Sequence, residues 1–389
     1  MRRHEESPLE KAVLLKRTRK FASSFLDFLC LFLLTLILFA ISDAILSNLS
    51  FYKAKQDEAF KHQEELYRIV EESGISKREE GYLLSSETMA ENVLKANVLK
   101  VLRENKAEEE ISVQVYGNVE SITPEKDGLY FYYVDFKAKQ EESFLAESRE
   151  EKGLSYYLEE VLHIDETDFF EVDGDYPYLE KETAFAIDEY YVSGTAYGKR
   201  IHDDILETYV SGNNMAREDI STNYVPYKTE EDAFLLAKDS LLLMRGNTIL
   251  LSYFLSILIV YLLFPLLFHD GRTLAEKAMD IGYTDIEGRK VGVFQIVVRL
   301  LLSLVAFLVV PFLSAMILFG GEGIAFMDVH LLGFYNILVG AIVSVLYLLV
   351  SGLFSLWQRG KIHQTLTELL SLSLSRNGKE FLVEEEKNG

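Results

Sequence analysis

Residues 21–46 read FASSFLDFLCLFLLTLILFAISDAIL, and this stretch decides the class of the protein. It exceeds the roughly 20 residues that an α-helix needs to cross the hydrocarbon core of a bilayer. It is also rich in the Leu, Ile and Phe side chains that favour insertion. Three later stretches share this character, namely Asn247–Phe268, Val291–Phe319 and Leu331–Trp357. The sequence therefore predicts an α-helical membrane bundle of four transmembrane helices, with a lipid bilayer as partner.

The charge of the chain is concentrated between the first two apolar stretches. Residues 47–246 contain 22 Lys and Arg against 44 Asp and Glu, which accounts for the whole formal net charge of −22. Such an acidic surface repels nucleic acid and anionic lipid, so no nucleic-acid partner is expected. Cys30 is the one cysteine and lies in the first stretch. A domain formed by 47–246 must therefore be stabilised without disulfides.

Lys and Arg near the ends of the spans predict their orientation. Basic residues precede the first span, lie between the second and third, and follow the fourth, whereas 320–330 contains none. We therefore predict a multi-pass protein of the plasma membrane with both termini cytoplasmic. Its predicted segments are a cytoplasmic basic tail (1–20), spans at 21–46, 247–268, 291–319 and 331–357, an acidic extracytoplasmic α+β domain (47–246), a cytoplasmic loop (269–290), a short outer loop (320–330) and a cytoplasmic tail (358–389).

The first span has a second interpretation. A basic tail followed by an apolar run is also typical of a cleaved signal peptide, and Ala40-Ile41-Ser42 resembles a cleavage site with small residues. The apolar run is longer than the hydrophobic region of most signal peptides, and the basic tail before it is long. A retained span is therefore the favoured prediction.

Hydrophobic periodicity predicts the elements of the large inserted domain. A β-hairpin is predicted at 111–136. Apolar and polar residues alternate around Ile111–Val115, a turn with Pro and Gly follows, and Leu129–Phe136 is an aromatic run. A strand is expected at Phe185–Val192. Helical spacing predicts helices at Tyr52–Glu72, Met89–Leu102, Glu142–Leu162, Gly198–Val210 and Glu230–Met244. This mixture predicts an α+β fold for the domain.

Seventeen of the 22 tyrosines lie in 47–246. Tyrosine offers a flat face and a hydroxyl, so a tyrosine-rich surface would bind carbohydrate or peptide. The alternative is a tyrosine-rich core and rim in a domain that has no disulfide. Buried and half-buried tyrosine is common in proteins, which favours the core interpretation.

The densest acidic stretch is His163–Glu180, and its carboxylates are candidate metal ligands. Aligned with Gly174 at the sixth position of a calcium loop, it supplies Glu171, Asp173 and Glu180, but Phe169 stands where the first carboxylate is needed. An EF-hand is therefore excluded, and these three residues form only a weak Ca²⁺ candidate beside a solvated acidic loop. No nucleophile elbow, P-loop, zinc helix or dinucleotide loop is present, so neither enzyme activity nor a cofactor is expected.

Two ionisable residues lie at bilayer depth, where charge is expensive and indicates function. Asp27 lies roughly 9 Å along the first span and Arg299 roughly 12 Å along the third, at a rise of 1.5 Å per residue. Both spans begin at the predicted cytoplasmic face, so we predict that these side chains face the interior and interact, directly or through water. The alternative is that Arg299 extends to the interface alone. Pro311 should kink the third span, and Asp43 is expected at the outer interface.

Several segments resemble the RDD family. The stretch 19–27 (RKFASSFLD) is similar to the start of that family's membrane domain, where a basic residue precedes the first helix and an aspartate lies within it. Residues 271–277 (GRTLAEK) resemble the family's G-Q-T-x-G-K segment, and 285–289 its later D-x-x-G turn. Arg299 falls where the family has an arginine, and 363–370 (HQTLTELL) is similar to the closing R-Q-T-L-H-D-L-L. The family-motif positions in this chain are Arg19, Lys20, Gly271, Thr273, Lys277, Gln364 and Glu368.

The chain also departs from this pattern. Lys20 stands at the usual arginine position, Ala275 replaces a glycine, Glu276 stands where lysine is expected, and Glu368 replaces an aspartate. The resemblance implies a four-span membrane domain and transport of unidentified ligands, with ion exchange in some members. It says nothing about the domain at 47–246.

Two functions follow from these features. The first is transport of an ion or small ligand across the plasma membrane, with Asp27, Arg299 and Glu368 in an intramembrane polar cluster. The second is a non-enzymatic envelope protein whose outer domain binds a ligand or protein partner, with the bundle as its anchor. Four spans leave little room for a substrate path, so a homo-oligomer or other envelope proteins are the expected partners. A structural ion pair and a transport site are indistinguishable at this point.

Overall fold

The computed structural model describes residues 17–164, 168–174, 176–285, 289–321, 326, 330–333, 335–357 and 365–377. Its helices are α1 (Arg17–Leu46), α2 (Ser50–Glu72), α3 (Ser86–Asn105), α4 (Val113–Tyr116), α5 (Lys137–Lys139), α6 (Gly153–Tyr156), α7 (Lys181–Ser193), α8 (Ala196–Asn223), α9 (Val225–Leu258), α10 (Phe264–Leu267), α11 (Leu274–Ala278), α12 (Val293–Ala306), α13 (Val309–Phe319), α14 (Ile337–Trp357) and α15 (Leu366–Leu370). Its strands are β1 (Arg78–Glu79), β2 (Tyr82–Leu83), β3 (Phe170–Asp173), β4 (Tyr176–Leu179), β5 (Ile281–Asp285), β6 (His330–Leu331), β7 (Tyr335–Asn336) and β8 (Ser373–Asn377).

The strands form four antiparallel pairs, β1 with β2, β3 with β4, β5 with β8, and β6 with β7. The chain divides into two compact units. We call Met1–Lys55 together with Asp239–Gly389 the span unit, and Gln56–Lys238 the central unit. Each unit has its own apolar core.

Three helices in the described part of the chain are long and apolar enough to cross a membrane, and a bent helix pair makes a fourth candidate if it counts as one span. The three are Arg19–Leu46, Val225–Leu267 and Ile337–Ser355. The bent pair consists of α12 and α13. The predicted helical bundle is therefore confirmed at the level of three to four candidate spans.

The bent pair lies where the sequence predicts a kink. Its two helices differ in direction by 47°, and Pro311 lies in the first turn of the second, α13. Proline has no N–H to donate, and its ring crowds the carbonyl of the residue four positions before it, which here is Phe307. The break falls at Phe307 and Leu308, as this steric effect requires.

Side chains from other elements satisfy the backbone around this break. Backbone polar groups at bilayer depth must find partners inside the protein, because lipid offers none. The hydroxyls that donate to freed carbonyls are those of Tyr253 to Leu304 (2.7 Å), Ser344 to Ala306 (2.6 Å) and Tyr335 to Leu308 (3.1 Å). The break is therefore a stabilised feature of the span unit, tied to α9 and α14.

The core of the central unit is helical and rich in tyrosine. It is assembled mainly from α3, α7 and α8 together with the segments between them. Its buried tyrosines are Tyr116, Tyr132, Tyr133, Tyr157, Tyr209 and Tyr224. This burial favours the core interpretation of the tyrosine-rich sequence over a binding surface.

The predicted β-hairpin at 111–136 is wrong. Val113–Tyr116 is a helical turn, and Phe131–Phe136 is a π-helical segment. Aromatic and β-branched residues favour strands only weakly and according to context. Here Tyr132, Tyr133 and Phe136 are buried together, a spacing that a helical turn provides and a strand does not.

The predicted strand at Phe185–Val192 is also wrong, because these residues belong to α7. The helix buries Thr183, Ala184 and Ile187, which share one face at helical spacing. The expected helix at Glu142–Leu162 is divided into 3₁₀ turns, α6 and a π-helical segment. The other four predicted helices lie within α2, α3, α8 and α9. The described part of the central unit is thus mainly helical with two small hairpins. The predicted α+β fold is not confirmed there.

Helices α7 and α8 approach so closely that Gly198 has no room for a side chain. A Cβ at this position would lie 2.0 Å from the backbone oxygen of Ala186. We expect Gly198→Ala to lower the free energy of unfolding by about 1–3 kcal/mol through overpacking, despite the better helix propensity of alanine. Denaturant unfolding of the full chain in detergent measures this loss. Gly352→Ala is the control, because a Cβ there meets nothing within 4 Å; equal effects of the two substitutions would contradict the prediction.

Candidate functional site

The span unit contains a cavity of about 470 Å³. Its walls come from α1, α12, α13 and α14, and from two short helix–strand segments that begin at Thr273 and Thr365. The lining combines charged, hydroxyl and aromatic side chains. Both ionisable residues that the sequence places at bilayer depth, Asp27 and Arg299, line it.

The first helix–strand segment is organised by a capping box at the start of α11. The Thr273 side-chain oxygen accepts the backbone N–H of Glu276 (3.2 Å), and Glu276 Oε2 accepts the backbone N–H of Thr273 (2.8 Å). This reciprocal pairing satisfies two donors that a helix N-terminus leaves free. Gly271, two residues earlier, has a φ of +72°, a conformation that glycine adopts readily. The turn orients Glu276 into the site.

Arg299 on α12 is held by three partners. One guanidinium nitrogen donates to the backbone oxygen of Gly271 (2.7 Å) and the other to Glu276 Oε1 (2.5 Å). The guanidinium also lies 3.9 Å from the centroid of the Tyr283 ring, over its face. Burial raises the pKa of Tyr283 well above its usual range, so the ring stays neutral. Arg299 is thus fixed by a buried ion pair and a cation–π contact.

Asp27 is hydrogen-bonded to the turn that begins α11. Its Oδ2 accepts a hydrogen bond from the Thr273 hydroxyl (2.9 Å), while its Oδ1 is buried without a hydrogen-bond partner. Ser23 Oγ is likewise buried without a partner. The two residues are four positions apart on α1, so they occupy one face of the helix. Each has only 3% of its surface exposed, and both line the cavity.

The second helix–strand segment repeats the first. Thr365 and Glu368 form a capping box at the start of α15, with hydrogen bonds of 3.2 and 2.7 Å. The Glu368 carboxylate accepts hydrogen bonds from Lys20 Nζ at 3.0 Å to each oxygen. Each capping glutamate therefore pairs with a basic residue from a long helix: Arg299 in one case and Lys20 in the other.

The predicted contact between Asp27 and Arg299 has a specific form in the structure. Both side chains are buried, and among the described residues they are joined through Thr273 and Glu276 rather than by an ion pair. Thr273 is the central link, because its hydroxyl binds Asp27 while its backbone binds Glu276.

The family-motif positions divide between the site and its surroundings. Lys20 and Glu368 line the cavity, Thr273 donates its hydroxyl to Asp27 in the cavity wall, and Gly271 contributes its carbonyl to Arg299. Lys277 lies over the Phe268 ring at 3.9 Å and is not among the lining residues. Arg19, in the first turn of α1, is half-buried. Gln364 falls outside the described residues.

Sequence reasoning did not identify two residues of the site, Glu276 and Tyr283. Glu276 stood out only as a departure from the family pattern. A signal for it was present, because Thr273-x-x-Glu276 is the sequence signature of a capping box. Tyr283 carried no such signal, since its position over Arg299 depends on the pairing of β5 with β8.

The structure adds no metal centre in its described part. No group of three or more His, Cys, Asp or Glu side chains there is placed to hold a metal ion. The weak calcium candidate comprises Glu171, Asp173 and Glu180, and the Asp173 side chain lies outside the described part.

Asp43, predicted to be interfacial, forms a two-pronged ion pair with Arg245 at 3.0 and 3.1 Å, and both side chains are partly exposed.

Removing the Thr273 hydroxyl tests its role as the link. We expect Thr273→Val to cost about 1–3 kcal/mol, because it removes both the cap of α11 and the hydroxyl that donates to Asp27. Thermal unfolding of the full chain in detergent measures the loss. Thr273→Ser keeps the hydroxyl and should retain most of the stability; equal losses in both variants would contradict this role.

Comparison with protein families gives one match in this region. Residues 234–371 match the model of the RDD family, a membrane-associated family, and the rest of the chain is unmatched. The matched part includes α11, α12, α14 and α15, whereas Lys20 and Asp27 precede it. Comparison with curated proteins and with solved structures returned no match.

Proposed function

We propose that this RDD-family membrane protein transports a monovalent cation or a proton across the plasma membrane, with Asp27 as the binding carboxylate. The observation that carries the proposal is the buried, unpartnered Oδ1 of Asp27 in the wall of a cavity. A carboxylate at bilayer depth without a counter-charge is costly, and a bound cation or proton removes that cost.

The charge pattern of the cavity supports a single cation. Three carboxyl groups and two basic groups line it among the described residues. Glu276 pairs with Arg299, and Glu368 pairs with Lys20. Asp27 is the carboxyl group left without a basic partner in that set. One further positive charge at Asp27 would therefore balance the ionisable groups that line the cavity.

The surrounding groups position Asp27 for this role. Arg299 holds Glu276 and the Gly271 carbonyl, and these fix the turn that presents the Thr273 hydroxyl to Asp27. The break in the third span adjoins the same space, because Ala306 and Phe307 line the cavity. Interrupted spans are tolerated at bilayer depth where they line a cavity or pack within protein. The basic residues near the spans orient the Lys20 end of the cavity towards the cytoplasm.

Flux measurements in proteoliposomes test the proposal. With gradients of Na⁺, K⁺ or an organic ammonium ion and an internal pH dye, Asp27→Asn should lower the rate of cation-driven pH change at least about tenfold, since the variant cannot carry the charge. Asp43→Asn is the control on the same helix, because Asp43 pairs with Arg245 outside the cavity. Wild-type flux in a folded Asp27→Asn protein, or no flux in the wild type with any monovalent cation, would sink the proposal.

A further inference from the structure

We infer that the cavity binds an organic monocation with an apolar body, such as an aryl or alkyl ammonium, whose charged end lies at Asp27. This inference names the substrate class and rests on the proposed role of Asp27 as a cation-binding carboxylate. It is carried by the size of the cavity, its aromatic wall and its apolar flank.

The cavity is much larger than a bare alkali ion. Its volume of about 470 Å³ lies in the range of pockets for drug-sized ligands, roughly 300–1,000 Å³. A bare alkali ion would fill only a small part of this volume, whereas a ligand with an organic body can occupy it.

An aromatic wall adjoins Asp27. Phe307 lies between Phe28 and Tyr261, with ring centroids 6.3 and 5.9 Å from theirs. All three rings line the cavity, and Phe28 directly follows Asp27 on α1. Aromatic faces attract organic ammonium groups, which shed water far more easily than Na⁺ does. A carboxylate beside several rings is therefore suited to an ammonium ion.

The remaining lining is apolar and partly open. Phe25 on α1 and Leu348 on α14 both line the cavity, with 51% and 45% of their surfaces exposed. Leu313 on α13 adds a half-buried apolar side chain. A ligand with its charge at Asp27 can place a hydrocarbon body against these residues. The ligand class is thus amphiphilic as well as cationic.

Binding of the ammonium ion is electrically neutral if Asp27 releases one proton at the same time. When the ammonium ion enters, a protonated Asp27 loses its proton to solvent and its carboxylate pairs with the ligand. When the ligand leaves, one proton returns to the carboxylate. One positive charge therefore replaces another, and no other reactant is needed.

Binding of phenyltrimethylammonium to the purified full chain in detergent tests the inference. Calorimetry should show binding at least about tenfold tighter than that of tetramethylammonium, because the phenyl group adds buried apolar area. tert-Butylbenzene, which has the same shape without the charge, should not displace labelled phenyltrimethylammonium. Equal affinity for the two ammonium ions, or displacement by the neutral compound, would overturn the inference.

Variants locate the site. Asp27→Asn should weaken phenyltrimethylammonium binding at least about tenfold, and Phe307→Leu or Phe28→Leu about 2- to 30-fold, the range expected for one cation–π contact. Phe39→Leu is the matched control, because Phe39 is a buried aromatic of α1 that packs on Phe319 and does not line the cavity. Unchanged binding in both aromatic variants, folded by thermal unfolding, would overturn the placement.

The binding experiment tests the ligand class and the flux experiment tests transport, so each claim can be overturned without the other. If phenyltrimethylammonium does not bind while Asp27→Asn abolishes cation flux, the inference is overturned and the proposed function stands. If the ammonium ion binds at Asp27 but Asp27→Asn leaves every measured flux unchanged, the ligand class is supported and transport through Asp27 is overturned.

Discussion

Arg299→Met is expected to lower the free energy of unfolding of the span unit by about 3–5 kcal/mol, because it leaves the Glu276 carboxylate buried without its cation. The affected ion pair has a nitrogen–oxygen distance of 2.5 Å, and both side chains are almost fully buried. The substitution also removes the donor to the Gly271 carbonyl. Thermal and denaturant unfolding of the full chain in matched detergent measures the loss.

Two further variants distinguish the cost of the unpaired buried charge in Arg299→Met from the cost of lost packing. Adding Glu276→Gln to Arg299→Met should restore part of the stability, because the unpaired charge is gone. Arg245→Met breaks the partly exposed pair with Asp43 and should cost about 1 kcal/mol or less. If Arg245→Met destabilises as much as Arg299→Met, burial of the ion pair is not the cause of the effect.

Lys137→Met should destabilise the central unit by a similar amount, about 3–5 kcal/mol. Lys137 is fully buried, and its Nζ lies 2.6 Å from Asp219 Oδ2. Burial alone would raise the pKa of Asp219, but hydrogen bonds from Lys137, Ser148 and Tyr132 lower it below its usual range. Without Lys137 the ionised carboxylate keeps only neutral donors, so folding must bury an uncompensated charge.

The pH dependence of this loss has a defined sign. A carboxyl group whose folded-state pKa is lowered contributes stability above its unfolded pKa of 3.8 and loses it as the pH falls through the folded value. Lys137→Met removes this contribution, so the difference between wild type and variant should be largest near neutral pH and shrink in acid. Hydrogen exchange of 56–238 in the full chain, followed by mass spectrometry at several pH values, measures it. Lys152→Met, at a partly exposed pair with Glu141, is the control, and a pH-independent difference would contradict the prediction.

The span unit was predictable because its signals are local. A run of more than 20 apolar residues specifies a span by length alone, and a charge within it must face the interior or find a partner. Asp27 and Arg299 could therefore be selected from the sequence, and Lys20 and Glu368 from the family resemblance. The route from Asp27 to Arg299 could not, because it passes through a turn whose placement depends on long-range strand pairing.

The central unit was less predictable because its decisive signals are not local. The aromatic run 129–136 has strand composition but is helical, since tertiary packing of Tyr132 and Phe136 outweighs a weak local preference. The buried tyrosines also remove the main reason for expecting a carbohydrate- or peptide-binding surface. Binding of a ligand or partner by this part of the chain stays a hypothesis, for which capture experiments with the intact protein are the test.

The two capping boxes belong to a local twofold symmetry within the span unit. Residues 273–285 and 365–377 share the order capping threonine, short helix, strand, and each has a residue with positive φ at the same place, Asp280 (54°) and Leu372 (52°). Their strands pair about a centre at Tyr283 and Ser375, an arrangement that is unchanged when the halves are exchanged. The two segments are therefore related by a local twofold axis through this strand pair, and each presents its capping glutamate to a basic residue of a longer helix, Arg299 or Lys20.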